Sequence, residues 1–196
     1  MSRVIHVFRQ PERFVAGTVG EPGDRAFYLQ AIEEARTISV LLEKQQVSVL
    51  AERIDALLTE VARRFGDAEA APEPAASDTD PLAVPLEEEF RVGTMGLGWD
   101  ADSKSIVVEL LAVSEEEVDE SVVLDDTEEG PDALRVFLSP PQARAFAERA
   151  EKVVSAGRAP CPLCAEPLDP EGHICVRLNG FHKRSPMGDA AADPGE

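Results

Sequence analysis

The sequence predicts an α+β protein in which two β-β-β-α pseudo-repeats form mainly antiparallel sheet with two packed helices, followed by a small C-terminal element. Three observations predict this architecture. Two sequence motifs recur in the same order, apolar segments of strand length lie between them, and all three cysteines of the chain fall within residues 161–175.

Two short motifs indicate the repeat. Residues 14–20 read FVAGTVG and residues 90–96 read FRVGTMG. The pattern Q-x-x-x-x-A-E-R occurs at residues 46–53 and again at residues 142–149. The spacing between the two motifs is about twenty residues longer in the second copy than in the first, which is typical of an insertion into one of two repeated units.

Apolar, partly β-branched segments predict three strands in each unit. The predicted strands cover residues 14–20, 26–35 and 37–43 in the first unit and 90–96, 105–114 and 133–139 in the second, with an extra strand at residues 3–9. Glycines in the first strand of each unit favour a bulge or a close backbone approach over a phosphate-binding loop.

A helix is predicted after each set of strands. Apolar residues recur at helical spacing from Val47 to Phe65 and form one stripe. In the second unit Ser139 can cap a helix that starts with proline, and Gln142 can complete a capping box. Gly157 is typical of the position just after a helix.

Composition limits the classes of function. The chain has 196 residues, 43% of them hydrophobic, and a net charge of −19. Such a surface repels phosphate backbones and anionic membranes, so nucleic-acid binding through the body of the protein is not expected. No apolar run approaches the ~20 residues that span a bilayer, and the N-terminus lacks the pattern of a secretory signal. We expect a cytoplasmic protein and no membrane partner.

The most acidic stretch covers residues 114–132 and contains no basic residue. Blocks of like charge usually form solvated, mobile loops, which is the structure we expect here. A cation site or a docking strip for a basic partner is the alternative, although the stretch lacks the ligand offsets of a calcium-binding loop.

The cysteine cluster has the spacing of a metal site. Cys161 and Cys164 form a C-x-x-C pair, and His173 and Cys175 follow after a turn. Residues at i and i+2 of an extended segment face the same side, so the four side chains can meet at one ion. Three cysteines and one histidine predict a closed, zinc-ribbon-like element with a structural Zn²⁺.

Other interpretations of the cluster stay open at this point. His182 can replace His173 as fourth ligand, and Asp169 and Glu171 are weaker candidates. A redox C-x-x-C pair is disfavoured because such pairs begin a helix in a strand–helix–strand unit, whereas this pair follows a helix. Unliganded cytoplasmic thiols are the remaining alternative.

The predicted organisation has five parts. They are the first unit with its extra strand (1–66), an acidic Ala/Pro linker (67–86), the second unit with the acidic insertion (87–157), the zinc-binding element (158–184) and a disordered tail (185–196). The zinc-binding element has a basic rim, defined here as Arg158, Arg177, Lys183 and Arg184. This rim can bind a protein partner or nucleic acid, or it simply balances the acidic body.

Two functions are compatible with these features. The first is a non-enzymatic, zinc-containing interaction or regulatory protein. The alternative is an enzyme that acts on a phosphorylated or nucleotide-like small molecule at the interface of the two repeats. The residues proposed for the enzyme are Thr18, Thr94, Arg53, Arg149 and His6, with Arg13 and Arg91 as further candidates.

Several segments resemble a known family. The segments are VIHVF, FVAGTVGEPGDRAFYLQA, FRVGTMGLGWD and the C-terminal PCPLC, PLDPEGHIC and RLNG. Together they are similar to an actinobacterial family classified as domain of unknown function 3090. The resemblance covers nearly the whole chain except the linker and the final tail. It implies a bacterial cytoplasmic protein, but it brings no known activity and no assigned catalytic residues.

Overall fold

The computed structural model describes residues 3–65, 78–114, 123–127, 129–157, 161–164 and 175. The chain divides into two compact units, residues 1–156 and residues 157–196. All the strands and helices found in the described residues belong to the first unit. They are β1 (Ile5–Phe8), β2 (Arg13–Val19), β3 (Ala26–Glu33), β4 (Arg36–Leu42), α1 (Lys44–Phe65), β5 (Glu88–Asp100), β6 (Ser105–Ala112), β7 (Ala133–Leu138) and α2 (Pro140–Ser155).

The strands form one mixed, mostly antiparallel sheet in the order β1-β7-β6-β5-β4-β3-β2. Strands β2-β3-β4 make one antiparallel meander and β5-β6-β7 make a second. The two meanders meet through the parallel pair β4–β5, which α1 connects, and β1 adds to the far side of β7 as a second parallel pair. The predicted α+β class, with a β-β-β-α order that occurs twice, is confirmed.

The sheet is curled, so its two ends approach each other. Arg36, in β4, donates a 2.7 Å hydrogen bond to the carbonyl of Val7 in β1, and its guanidinium lies 4.4 Å from the centre of the Phe8 ring. The amide of Gln10, just after β1, donates to a carboxylate oxygen of Glu33 at the end of β3. These contacts join β1, at one edge of the sheet, to β3 and β4 near the other edge, which would lie far apart in a flat sheet of seven strands.

The core lies between the two helices and one face of this sheet. Alternate residues of each strand point into it, and α1 and α2 each contribute one apolar stripe. Phe14 of β2 stacks on Phe146 of α2 with ring centres 4.7 Å apart. Leu29, Ile54 and Leu110 are fully buried beside them. Each such side chain contributes about 2 kcal/mol through loss of contact with water.

The repeated glutamine has the same structural role in both units. Gln46 accepts a hydrogen bond from the amide of Glu43 at the start of α1 and donates to the carbonyl of Val92 in β5. Gln142 accepts from the amide of Ser139 at the start of α2 and donates to the carbonyl of Pro11. Each glutamine thus caps its helix and fixes it to the segment at the start of a neighbouring meander.

An extended segment lies on the outer face of the first meander. Gln30, fully buried in β3, accepts a hydrogen bond from the amide of Ala83 and donates to the carbonyl of the same residue. Its amide nitrogen also lies 3.0 Å from the hydroxyl of Ser39 in β4. A Cβ atom on Gly17 would lie 2.6 Å from the Leu82 side chain, so this glycine provides the close approach predicted from the sequence.

The second meander carries a similar cover from the acidic stretch. Glu109 of β6 is fully buried and accepts a hydrogen bond from the amide of Leu124. Arg135 of β7 donates to Glu109 at 2.7 Å, to the carbonyl of Asp125 at 3.0 Å and to the carboxylate of Asp126 at 2.5 Å. Residues 124–127 are exposed, as expected for a loop. Hydrogen bonds to the buried pair of Glu109 and Arg135 nevertheless fix residues 124–126 to the sheet.

Candidate metal centre

The three cysteines of the second unit lie together. The sulfur atoms of Cys161, Cys164 and Cys175 are all within 4.8 Å of one another, and those of Cys161 and Cys175 are 3.9 Å apart. All three are free thiols, and Cys161 and Cys175 are buried. Three sulfur donors at these distances can hold one metal ion.

A tight turn over residues 162–164 brings the first two cysteines together. The amides of Cys164 and Leu163 donate hydrogen bonds to the Cys161 sulfur, and they lower the pKa of this thiol below its ordinary value. The Leu163 nitrogen lies 3.5 Å from that sulfur. Because metals bind the thiolate, a backbone that stabilises the charged form also prepares a ligand.

The separation of the Cys161 and Cys175 sulfur atoms fits a tetrahedral metal site. Zn–S bonds of about 2.3 Å in a tetrahedron place two sulfur atoms about 3.8 Å apart, close to the 3.9 Å between Cys161 and Cys175. A disulfide would require about 2.05 Å. The predicted fourth ligand, His173, and its alternatives His182, Asp169 and Glu171 lie outside the described residues, so the complete ligand set stays a prediction.

Two arginines proposed for an enzyme site hold a chain segment instead. Arg13 binds the Asp78 carboxylate through two nitrogens, at 2.5 and 3.0 Å, and Arg149 binds the same carboxylate at 2.9 Å. Arg149 also donates to the carbonyls of Ala16 and Asp80. Both guanidinium groups therefore fix residues 78–81 to β2 and α2. Their nitrogen atoms are hydrogen-bonded within the chain and are not free to bind a substrate.

The other enzyme candidates do not meet at one site. Thr18 lies in β2 and Thr94 in β5, and strands β3 and β4 separate them. His6, in β1, lies 3.1 Å from a carboxylate oxygen of Glu89. A further candidate, Arg91, is ion-paired with Glu43. These residues are distributed over several parts of the sheet.

Arg53 is the exception. It is exposed on α1 and lines a groove of about 500 Å³ between this helix and β5, whose walls are otherwise apolar. Within the described part of the chain it makes no hydrogen bond or ion pair. The repeat therefore has two equivalent arginines, of which Arg149 is engaged and Arg53 is not.

Two charged residues were missed by the analysis of the sequence. Glu109 and Arg135 face each other in β6 and β7 and form the buried ion pair beneath the acidic stretch. A signal was present, because each is the only charge within an apolar strand, in IVVELLA and ALRVFL. An unpaired charge is rarely buried, so two such strands in one unit predict a pair.

The chain thus belongs to the α+β proteins that carry a cluster of cysteines able to hold a metal. The family described as "Protein of unknown function (DUF3090)" matches residues 6–175, and the chain is a member of this family. No curated protein matches the sequence. No solved structure matches it either. Among the described residues, neither helix has the length and apolar character needed to cross a membrane.

Proposed function

We propose that this chain is a non-enzymatic interaction or regulatory protein of the cytoplasm, whose C-terminal unit is held by a structural Zn²⁺. The ligands are Cys161, Cys164, His173 and Cys175. The observation that carries this proposal is the convergence of three sulfur atoms within 4.8 Å of one another.

The chemistry of the donors favours zinc. Thiolates select Zn²⁺, Cu(I) and iron–sulfur clusters, and a site completed by one imidazole is typical of structural zinc. Four protein ligands leave no open position for a water or substrate, so the ion stabilises the fold of the unit. Reduced thiols persist in the cytoplasm, which agrees with the proposed location.

The arrangement of the arginines supports an interaction protein over the enzyme alternative. An enzyme that acts on a phosphorylated molecule needs cations that are free to bind the substrate. Arg13 and Arg149 are instead engaged with Asp78, and two strands separate the threonine motifs. The proposed partner is a protein, and the proposed contact is the basic rim of the zinc-binding element. Nucleic acid is a second possible ligand of this rim only.

The experiment replaces zinc by cobalt. Zn²⁺ is first removed at low pH under reducing conditions, because it binds such a site more tightly than Co²⁺ does. Co²⁺ added to the zinc-free protein at neutral pH should then give the thiolate charge-transfer and d–d absorption of a tetrahedral site. Cys175→Ser should weaken both, and His173→Ala should shift the d–d bands, because a water then takes the place of the imidazole, while His182→Ala leaves them unchanged. His6→Ala is the matched control, because His6 is the third histidine and lies in β1. An octahedral spectrum for the wild type would contradict the proposal.

A further inference from the structure

The groove beside Arg53 lies along an open strand edge. Strand β4 pairs with β5 only as far as Arg91, whereas β5 continues to Asp100. The carbonyls of Val92 and Gly93 accept hydrogen bonds from Gln46. Beyond Gly93, the edge of β5 that faces away from β6 carries no strand within the described residues. The groove lies beside residues 95–97 of this strand, with Leu57 of α1 and Leu97 of β5 in its walls. An unpaired strand edge next to apolar walls is the arrangement that accepts an extended peptide as an added strand.

The internal repeat shows what the equivalent arginine of the other unit binds. The offset that aligns Gln46 with Gln142 also aligns Arg53 with Arg149. Arg149 binds an extended acidic segment of the chain itself, through the carboxylate and carbonyl of Asp78 at 2.9 and 2.6 Å and the carbonyl of Asp80 at 2.7 Å. The helix residues that line the two grooves are also aligned, since Val49 and Leu50 correspond to Ala145 and Phe146.

We propose that the groove between α1 and β5 binds an extended, acidic peptide segment of a partner protein. An aspartate or glutamate of the peptide pairs with Arg53, as Asp78 pairs with Arg149. Apolar side chains at alternate positions enter the groove, and the peptide backbone pairs with the open edge of β5. This site is distinct from the cysteine cluster, and its test does not depend on the metal.

The comparison of the two grooves also predicts the strength of binding. Asp78 is held by two arginines, Arg13 and Arg149. The position that corresponds to Arg13 in the second unit is Glu89, so a peptide at Arg53 meets one cation. We expect a transient complex with fast dissociation, and an affinity that falls as salt is added.

The experiment selects peptides from a random seven-residue library displayed on phage, with the full-length protein as bait. Selected peptides are then titrated against the protein, and binding is followed by the fluorescence of Trp99. This residue is the only tryptophan of the chain and lies in β5, stacked on Phe65. The groove variants are Arg53→Glu and Ala56→Phe, which reverse the charge and fill the groove. Lys44→Glu is the matched control, with the same change of charge at the first residue of the same helix and outside the groove.

We expect selected peptides to contain an aspartate or glutamate among apolar residues. Arg53→Glu and Ala56→Phe should each weaken binding at least about ten-fold, and Lys44→Glu should change it less than about two-fold. Circular dichroism confirms that each variant is folded. Failure to enrich any peptide, or equal affinity for wild type and Arg53→Glu, would overturn the proposal. A concentration-dependent dimer that Arg53→Glu abolishes would also overturn it, because the groove would then belong to a second copy of the chain.

Discussion

Glu109 occupies in the second meander the place that Gln30 occupies in the first. Each lies in the middle strand, is fully buried, and faces a polar residue of the next strand, Ser39 for Gln30 and Arg135 for Glu109. Each also accepts a hydrogen bond from the backbone of a covering segment. The same position therefore holds its cover with a neutral glutamine in one unit and with a charged glutamate in the other.

The charged version of this position should be sensitive to substitution. Glu109→Gln leaves the buried guanidinium of Arg135 without its main counter-charge, and breaking a buried pair costs about 3 kcal/mol. We expect the free energy of unfolding in urea to fall by about that amount. The double variant Glu109→Gln with Arg135→Ser reproduces the neutral pair of the first meander and should recover at least half of the loss. A double variant as unstable as the sum of both single variants would show that the two positions are not equivalent.

The close contact at Gly17 gives a second prediction. A methyl group at this position would enter the space of the Leu82 side chain, so Gly17→Ala should lower the free energy of unfolding by about 1–3 kcal/mol. The substitution should cost less than about 0.5 kcal/mol in a Leu82→Ala background, where the space is free. Equal costs in the two backgrounds, measured by urea denaturation, would mean that Leu82 does not cover this strand.

The two equivalent arginines should differ in their contribution to stability. Arg149→Ala removes a mostly buried cation that binds Asp78, Asp80 and Ala16, and should cost about 3 kcal/mol. Arg53→Ala removes an exposed side chain and should change stability by less than about 0.5 kcal/mol. Thermal unfolding of both variants tests this difference. A large loss for Arg53→Ala would indicate a structural partner for this residue and would weaken the peptide-binding proposal.

The Asp78 ion pair should also make stability depend on pH. The hydrogen bond from Arg13 holds the pKa of Asp78 below its ordinary value of about 4, and the amide of Asp80 adds to this effect. A carboxylate with a lowered pKa contributes stability above its unfolded-state pKa and loses it as the pH falls through its folded-state pKa. The advantage of wild type over Asp78→Asn should therefore be full at neutral pH and shrink below about pH 4. Asp55→Asn, an exposed aspartate of α1, is the control. An advantage that stays constant on acidification would contradict this assignment.

The strands and helices could be predicted because their signals, apolar periodicity and capping residues, lie among residues that are close together in the sequence. Each of the seven strands overlaps a predicted segment, and the capping residues placed the start of α2 correctly. Strand β5 is longer than its predicted range, residues 90–96. It begins at Glu88, where it pairs with Ser39, and ends at Asp100, opposite Ser105 of the β5–β6 hairpin. Both extensions depend on neighbouring strands, and the polar Glu88 and Glu89 gave no local sign of a strand.

Contacts between distant parts of the chain could not be predicted. The parallel pairs β1–β7 and β4–β5 join strands that are far apart in the sequence, and several strand orders satisfy the same apolar patterns. The contacts of Asp78 could not be predicted either, because it lies in a segment rich in alanine, proline and acid that is typical of a flexible linker. Its role becomes visible only when Arg13 and Arg149 are brought beside it.

The measurement that tests the central claim most directly is the metal content of the full-length protein, purified without chelator and analysed by inductively coupled plasma mass spectrometry. We predict about one zinc ion per chain for the wild type and a loss of most of it in Cys161→Ser and Cys175→Ser, with His6→Ala unchanged. Zinc well below one ion per chain in the wild type, or full zinc content after loss of both Cys161 and Cys175, would contradict the structural zinc site.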